Sequence, residues 1–119
     1  MKNVKNEVYD ALCKVSENVT DSYPSDWARF PAIQYIEDEN RVYERTGNKE
    51  DKSYVRYIVD IWHNQSTTEA AANVDKEIAA LGLVRTSCKD TPEPGGLKHK
   101  RMVYEGIIEM FSDIVFWDK

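Results

Sequence analysis

The side chains best suited to chemistry in this chain are two histidines and two cysteines, which are His63, His99, Cys13 and Cys88. A zinc site needs about four such ligands, usually arranged as closely spaced pairs along the chain. These four residues are not paired in that way, so the sequence predicts no metal site. Each histidine is therefore expected at the protein surface, and each cysteine is expected to be a reduced thiol without a chemical role.

Nucleophilic and nucleotide chemistry also lack a motif. The chain has no Gly-x-Ser-x-Gly elbow, and Cys88 falls in a strand pattern rather than at the start of a helix, where a thiolate is stabilised. Gly95-Gly96 is not followed by a helix pattern and lacks the lysine of a phosphate-binding loop. We therefore predict no catalytic residue and no cofactor. A small enzyme with a dispersed site stays open as an alternative, because a fold does not determine a function.

Charged runs of both signs could bind a partner. The basic run is Lys98-His99-Lys100-Arg101, whose side chains would alternate between the two faces of a strand. It is typical of a solvated hairpin arm, and the alternative is contact with phosphate or with an acidic partner. The acidic runs Glu37-Asp38-Glu39 and Glu50-Asp51 are typical of solvated turns. Their alternative is an acidic surface through which a monomeric binding or inhibitor module covers a basic partner.

Length and charge limit the class of protein. The 119 residues suffice for one core, and we treat residues 1–119 as a single domain. The formal net charge of -5 argues against nucleic-acid binding, sequence-specific or general, because phosphate neutralisation needs a surplus of Lys and Arg. The first residues lack the apolar core of a secretion signal, and no apolar stretch approaches the roughly 20 residues that span a bilayer. We therefore expect a protein that folds in the cytoplasm and has no membrane contact.

Two helices are predicted from the spacing of apolar residues. The first runs from Lys2 to Asn18 and carries one apolar stripe. The second runs from Ser66 to Leu81. Ser66 and Glu69 fit the spacing of a capping box, and Gly82 suits a left-handed C-terminal cap.

Strand patterns fill much of the remaining chain. One begins at residues 32–37, with residues 41–45 as its partner or continuation and Gly47-Asn48 as a turn. Residues 53–63 alternate most clearly and carry apolar groups in both rows, which predicts a central strand.

Two further strands follow the second helix. Leu83 to Asp90 and Leu97 to Met110 both have strand patterns, and the segment between them is rich in Pro and Gly. Because no crossover helix fits in so short a connection, the pair is predicted to be antiparallel. The order of the elements predicts an α+β fold, with a mostly antiparallel sheet and two helices packed on one face.

Residues 53–63 predict which side chains share a face of the sheet. One row contains Val55, Tyr57, Val59 and Ile61, and the other contains Tyr54, Arg56, Ile58, Asp60 and Trp62. In the second row, Arg56 and Asp60 beside Trp62 form either an ion pair across the face or a contact between subunits.

Two segments carry large apolar side chains where polar ones are usual. They are the irregular stretch from Thr20 to Pro31 and an apolar C-terminal extension, residues 111–119. Each segment either packs on its own domain or contacts a neighbouring chain. The candidate residues for a subunit or partner interface are Tyr23, Trp27, Phe30, Trp62, Phe111, Ile114, Phe116 and Trp117.

Several local strings resemble the tail terminator (tail completion) proteins of long-tailed bacteriophages and prophages. The strings are Val8-Tyr9-Asp10-Ala11-Leu12, Phe30-Pro31-Ala32-Ile33, the alternating residues 54–62, Ala80-Leu81-Gly82-Leu83 and Tyr104-Glu105-Gly106-Ile107-Ile108-Glu109. The resemblance covers roughly residues 4–110.

The resemblance implies assembly rather than catalysis. Family members are small α+β proteins that form rings, commonly hexamers, on the last ring of tail tube protein. Such a ring stops tube polymerisation and presents a surface for joining the head. The implied partners are further copies of the chain, a tail tube protein, and a head-completion or neck protein, and the implied location is the neck of the virion.

Overall fold

Two 15-residue antiparallel strands form the long axis of the fold. The computed structural model describes residues 3–47 and 49–117, with the backbone alone at residues 49 and 50. The helices are α1 (Val4–Cys13) and α2 (Thr68–Ala79). The strands are β1 (Asn18–Thr20), β2 (Ala32–Thr46), β3 (Lys49–His63), β4 (Val84–Thr91), β5 (Lys98–Glu109) and β6 (Val115–Phe116).

The strands form one sheet of six strands in the order β1-β2-β3-β5-β4, with β6 paired to β5. Every pairing is antiparallel except that of β1 with β2, which is parallel. The predicted mostly antiparallel sheet is confirmed, and so are the central position of β3 and the antiparallel β4–β5 hairpin. Residues 41–45 continue β2 rather than forming a separate strand.

The tip of the β2–β3 hairpin projects past the end of β5, which pairs with β3 from Lys52 to His63. A strand of 15 residues spans roughly 50 Å at about 3.3 Å per residue. The longest dimension of the molecule is 53 Å. We call residues 43–52 the arm. Gly47 turns at its tip with a φ of +65°, whereas Asn48, the second residue of the predicted turn, lies outside the described residues.

The core lies between the two helices and one row of strand side chains. In β3 that row contains Val55, Tyr57, Val59 and Ile61, as the alternation predicted, and all four are buried. Both helices contribute apolar residues to the same cluster, which are Val4, Val8, Ala11 and Leu12 from α1 and Ala70, Ala71, Val74 and Ile78 from α2. We call this side of the sheet the core face and the other side the outer face.

The first helix is shorter than predicted. It ends at Cys13. A tight turn follows, in which the backbone amide of Val15 donates to the carbonyl of Leu12 at 2.9 Å. The prediction of helix up to Asn18 was wrong, since Asn18 begins β1. The Asn18 side chain donates to the carbonyl oxygens of Asp26 and Arg29 at 2.8 and 3.0 Å, which fixes the following loop against this strand.

The start of the second helix also differs from its prediction. Thr67 is the N-terminal cap residue, and its side chain makes no capping hydrogen bond. Ser66 accepts a hydrogen bond from the amide of Thr68 at 3.2 Å, so the expected bond across three residues to Glu69 does not form. The predicted left-handed residue after the helix is confirmed, with Gly82 at a φ of +94°. Within the described part of the chain, neither helix has the length and hydrophobicity to cross a membrane.

Candidate functional site

The outer face of the sheet carries the most concentrated polar chemistry. In β3 its row contains Trp62 and Asp60, and the antiparallel register places them opposite His99 and Arg101 of β5. The loop between β4 and β5 adds Glu93. We call these five residues the His99 network.

The imidazole of His99 joins two carboxylates in this network. Its Nε2 atom lies 2.7 Å from Asp60 Oδ1, and its Nδ1 atom lies 2.9 Å from Glu93 Oε1. Arg101 Nε donates to the same Asp60 oxygen at 2.9 Å, and Trp62 Nε1 donates to Glu93 Oε1 at 3.1 Å. The bond with Asp60 also raises the pKa of Arg101 above its ordinary value. The buried carboxylate of Asp60 thus lies between the His99 imidazole and the Arg101 guanidinium.

This geometry determines how His99 can act. Because both ring nitrogens face carboxylate oxygens, both can donate only when the ring carries two protons. Both ring nitrogens are already engaged by carboxylates of the same chain. The arrangement suits a structural bridge between the sheet and the β4–β5 loop rather than a general base.

The expectation that His99 is a surface residue was wrong. Its side chain is only 5% exposed, because Glu93 covers one edge and the Trp62 ring stacks on it with centroids 4.3 Å apart. The basic run gives no sign of this burial. The signal that could have found the network is the strand register, which pairs Asp60 and Trp62 of β3 with Arg101 and His99 of β5.

An aromatic cluster extends the network to the loop before β2. Trp27 lies edge-on to Trp62 at 5.7 Å, and Tyr23 lies 5.5 Å from Trp27. Phe30 stacks on His63 at 5.6 Å. The aromatic loop residues therefore pack on their own chain, although Tyr23 is exposed and Trp27 and Phe30 are half-buried. Trp62 is 3% exposed, so it offers little surface to a neighbour.

A second polar group lies on the same face nearer the arm. Arg56 lies 3.4 Å from Asp38, and the hydroxyl of Tyr54 donates to Glu105. The Arg41 guanidinium lies 4.5 Å from the centroid of the Tyr54 ring. Burial, and then the bond to Glu105, raises the pKa of Tyr54 to about 12. Arg56 and Asp60 therefore do not pair with each other. Each forms an ion pair with another residue of the same chain, Arg56 with Asp38 and Asp60 with Arg101.

The C-terminal extension packs on its own sheet. Strand β6 pairs with β5, opposite Ile107 and Ile108, and Trp117 lies 6.1 Å from the Tyr54 ring. Val115 packs against the core, while Phe116 and Trp117 are half-buried.

The turn before β6 presents two apolar side chains to solvent. Phe111 is 79% exposed and Ile114 is 56% exposed. The turn is well fixed, because the amide of Glu109 donates to the Ile114 carbonyl at 2.9 Å and the amide of Asp113 donates to the Glu109 carbonyl at 2.9 Å. We call Phe111 and Ile114 the apolar turn. Of the eight interface candidates, these two and Tyr23 are the most exposed.

The first acidic run lies within β2 rather than in a solvated turn, and its members are engaged within the chain. Glu37 accepts from the Tyr57 hydroxyl at 2.9 Å, and Glu39 accepts from Arg41 at 3.0 Å. Asp38 is the partner of Arg56 described above. In the second run, Asp51 accepts from Thr46, and the Glu50 side chain lies outside the described residues.

Metal and thiol chemistry has no clustered site in the described ranges. Among residues 3–47 and 49–117, no group of three or more His, Cys, Asp and Glu side chains is arranged to hold a metal ion. Cys13 and Cys88 are free and exposed. No protein-family model matches the chain, and no curated protein matches it in sequence.

Proposed function

We propose that this protein is a structural assembly protein that forms a homo-oligomeric ring, as a phage tail terminator or tail completion protein. The ring, with hexamer as the expected size, would cap the tail tube, stop its polymerisation and help to join tail to head. Its partners would be further copies of itself, the tail tube protein and a head-completion or neck protein. Its place would be the neck of the virion.

The observation that carries the proposal is the apolar turn. Large apolar side chains cost free energy when they are left in water, and Phe111 and Ile114 sit on a hydrogen-bonded turn that holds them outward. Because this turn is already ordered, a partner that covers the two side chains pays no free energy to order the segment. Such a pre-ordered patch suits an interface between chains.

Separate surfaces of the chain are available for the contacts that a ring needs. The apolar turn follows β5 at Glu109, whereas the His99 network lies near the opposite end of that strand. The proposed arrangement places both helices on one face of the sheet and leaves the arm and the outer face for neighbours. A contact between different surfaces of identical chains closes into a ring when its rotation allows. It would need about 800 Å² per partner.

The alternative is a monomeric acidic module that binds or inhibits a basic partner. It has less support, because Glu37, Asp38 and Glu39 are already engaged by donors of the same chain. Replacing these three acids with serine should abolish partner binding if the alternative is right.

Light scattering coupled to size-exclusion chromatography tests the ring. We expect the wild-type protein to shift from monomer to a defined oligomer as concentration rises. The double variant Phe111→Ser/Ile114→Ser should remain monomeric at the same concentrations. The control is Val84→Ser, which removes an exposed apolar side chain from β4 instead. An unchanged oligomer in the double variant would rule out the apolar turn as the interface.

A further inference from the structure

A cleft of about 730 Å³ lies between the end of α1 and the loop before β2. Apolar side chains from both segments line it, which are Val15, Ala28, Phe30 and Pro31. Ala28 is exposed and the other three are half-buried, so the cleft presents apolar surface to solvent. Phe30, which the sequence already indicated as an interface residue, forms part of its wall.

Hydrogen bonds hold the two walls of the cleft together. The hydroxyl of Ser16 donates to the carbonyl oxygen of Pro31 at 2.6 Å. The Asn18 side chain, which donates to the carbonyl oxygen of Arg29 at 3.0 Å, fixes the next part of the same loop. Because both walls are ordered without a partner, docking there costs little conformational entropy.

The cleft and the apolar turn lie at opposite ends of the sheet. The apolar turn follows Glu109, which pairs with Lys52 of β3. The cleft adjoins the start of β2, where Ala32 pairs with Trp62 of β3. The stretch of β3 from Lys52 to Trp62 spans roughly 33 Å at about 3.3 Å per residue. A chain therefore cannot fill its cleft with its own apolar turn, whereas a second copy can.

The charged groups beside the apolar turn are mainly acidic. The hollow beside Phe111 is lined by Glu44, Asp51 and Glu109 and by one cation, Lys52, among the described residues. Three carboxylates thus face one ammonium group. A partner surface with excess positive charge complements this end of the molecule.

The cleft supplies positive charge. Lys14 and Arg29 line it, together with one acid of the described chain, Glu17. The two cations are 69% and 66% exposed, and their ion pairs are long, with Lys14 at 3.7 Å from Glu77 and Arg29 at 3.8 Å from Glu17. Exposed pairs contribute little to stability, so both cations can turn to the acids of a partner at small cost.

We propose that the apolar turn of one copy docks in this cleft of the next copy, with Phe111 against Phe30 and Pro31. Contact removes the apolar surface of both from water, and the opposite charges fix the orientation. The contact joins two different surfaces, so it repeats from copy to copy and closes into a ring when its rotation allows. This inference rests on the proposed function and adds the surface that receives the apolar turn.

Disulfide cross-linking tests the contact, because Cys13 is exposed and lines the cleft. Ser112→Cys places a second thiol between Phe111 and Ile114 and keeps both of these side chains, and Cys88→Ser removes the other native thiol. A disulfide forms only where two Cα atoms come within about 7 Å of each other. With oxidised glutathione, at concentrations where the wild type associates, we expect a ladder of linked chains up to the hexamer on a non-reducing gel.

The wild type is the matched control for this experiment. It carries two exposed thiols, Cys13 and Cys88, but no thiol in the apolar turn. It should form no ladder. Adding Cys13→Ser to the cross-linking variant should abolish the ladder. Linked dimers that persist without Cys13 would show that two apolar turns meet each other, which would overturn the proposal.

A mixture of two variants tests whether the contact joins different surfaces. Ala28→Trp fills the cleft from an exposed position and leaves the apolar turn intact, whereas Phe111→Ser/Ile114→Ser does the reverse. Each variant should be monomeric alone. An equal mixture should give dimers, because one intact turn and one intact cleft remain.

These outcomes separate the contact from the ring itself. If the wild type assembles but neither the ladder nor the mixed dimer forms, the cleft does not receive the turn, and the proposed ring stands. If Phe111→Ser/Ile114→Ser still assembles, the proposed function loses its interface and this contact fails with it.

Discussion

The two ends of the β2–β3 hairpin use charge in opposite ways. At the body end, Asp60 and His99 form a buried pair at 2.7 Å inside the His99 network. In the arm, Lys52 and Glu44 form a pair at 3.2 Å that is partly exposed to water. Buried pairs lose much stability when one partner is removed, whereas exposed pairs contribute little. The body end therefore fixes the fold, and the arm can change its contacts at small cost.

The largest expected effect comes from breaking the buried end. His99→Ala removes the imidazole that bridges Asp60 and Glu93, which is also the ring that stacks on Trp62. We expect a loss of about 3 kcal/mol in the free energy of unfolding, because Asp60 and Glu93 each lose a hydrogen-bond partner and the missing ring leaves a cavity. Urea denaturation followed by fluorescence measures it.

Arg45→Ala in the arm is the control for this change, because Arg45 is exposed. It should alter stability by less than about 0.5 kcal/mol. Equal losses in the two variants would show that the contrast between the two ends is not real.

A smaller effect is expected where β6 joins the body. A side chain at Gly82 would meet the carbonyl oxygen of Val115, and Gly82 has a left-handed backbone. We expect Gly82→Ala to cost about 2 kcal/mol and to release β6 from the sheet. Faster hydrogen exchange at the Glu109 amide, which donates to Ile114, reports the release.

Gly95→Ala separates the clash from the backbone strain. Gly95 has a φ of +73°, but no atom lies within 4 Å of the position that a new Cβ would take. This variant should leave exchange at Glu109 unchanged. Equal release of β6 in both variants would refute the role of close packing at Gly82.

Alkaline pH should weaken the body through its buried tyrosines. Burial and carboxylate partners raise the pKa of Tyr54 to about 12 and raise the pKa values of Tyr57 and Tyr104 as well. An unfolded tyrosine ionises near about 10. Unfolding therefore releases protons between about pH 10 and 12, so stability is complete below this window and falls as pH rises through it. Urea denaturation across this range measures the slope.

Tyr54→Phe is the variant that tests the assignment. It removes the ionisable group while keeping the ring against Arg41 and Trp117. The slope of stability against pH should become shallower than in the wild type. An identical slope would show that Tyr54 does not contribute to it.

The smallest effect on stability is expected in the arm itself. Tyr43 is 48% exposed there, and Tyr43→Ser should change the free energy of unfolding by less than about 0.5 kcal/mol. If the arm contacts a neighbouring copy, the same change should still raise the concentration needed for association. Light scattering of the variant and the wild type measures association separately from stability. Unchanged association would show that Tyr43 is not part of the interface.

Much of the architecture could be read from local patterns. The alternation in residues 53–63 predicted the buried and outer rows of β3, because side chains in a strand alternate between faces. The end of α1 was mispredicted, since Asn18 pairs with Ala32 of β2 and its side chain bonds to the loop between the two strands. The His99 network depends on strand register and on Glu93 from a Pro-rich loop, and neither is encoded in local spacing.

Electron microscopy of the purified protein, at concentrations where light scattering detects association, tests the central claim most directly. We expect closed rings with a mass of about six times the 13.8 kDa of one chain, and no rings in Phe111→Ser/Ile114→Ser. Single 13.8 kDa particles at every concentration, with and without added tail tube protein, would contradict it.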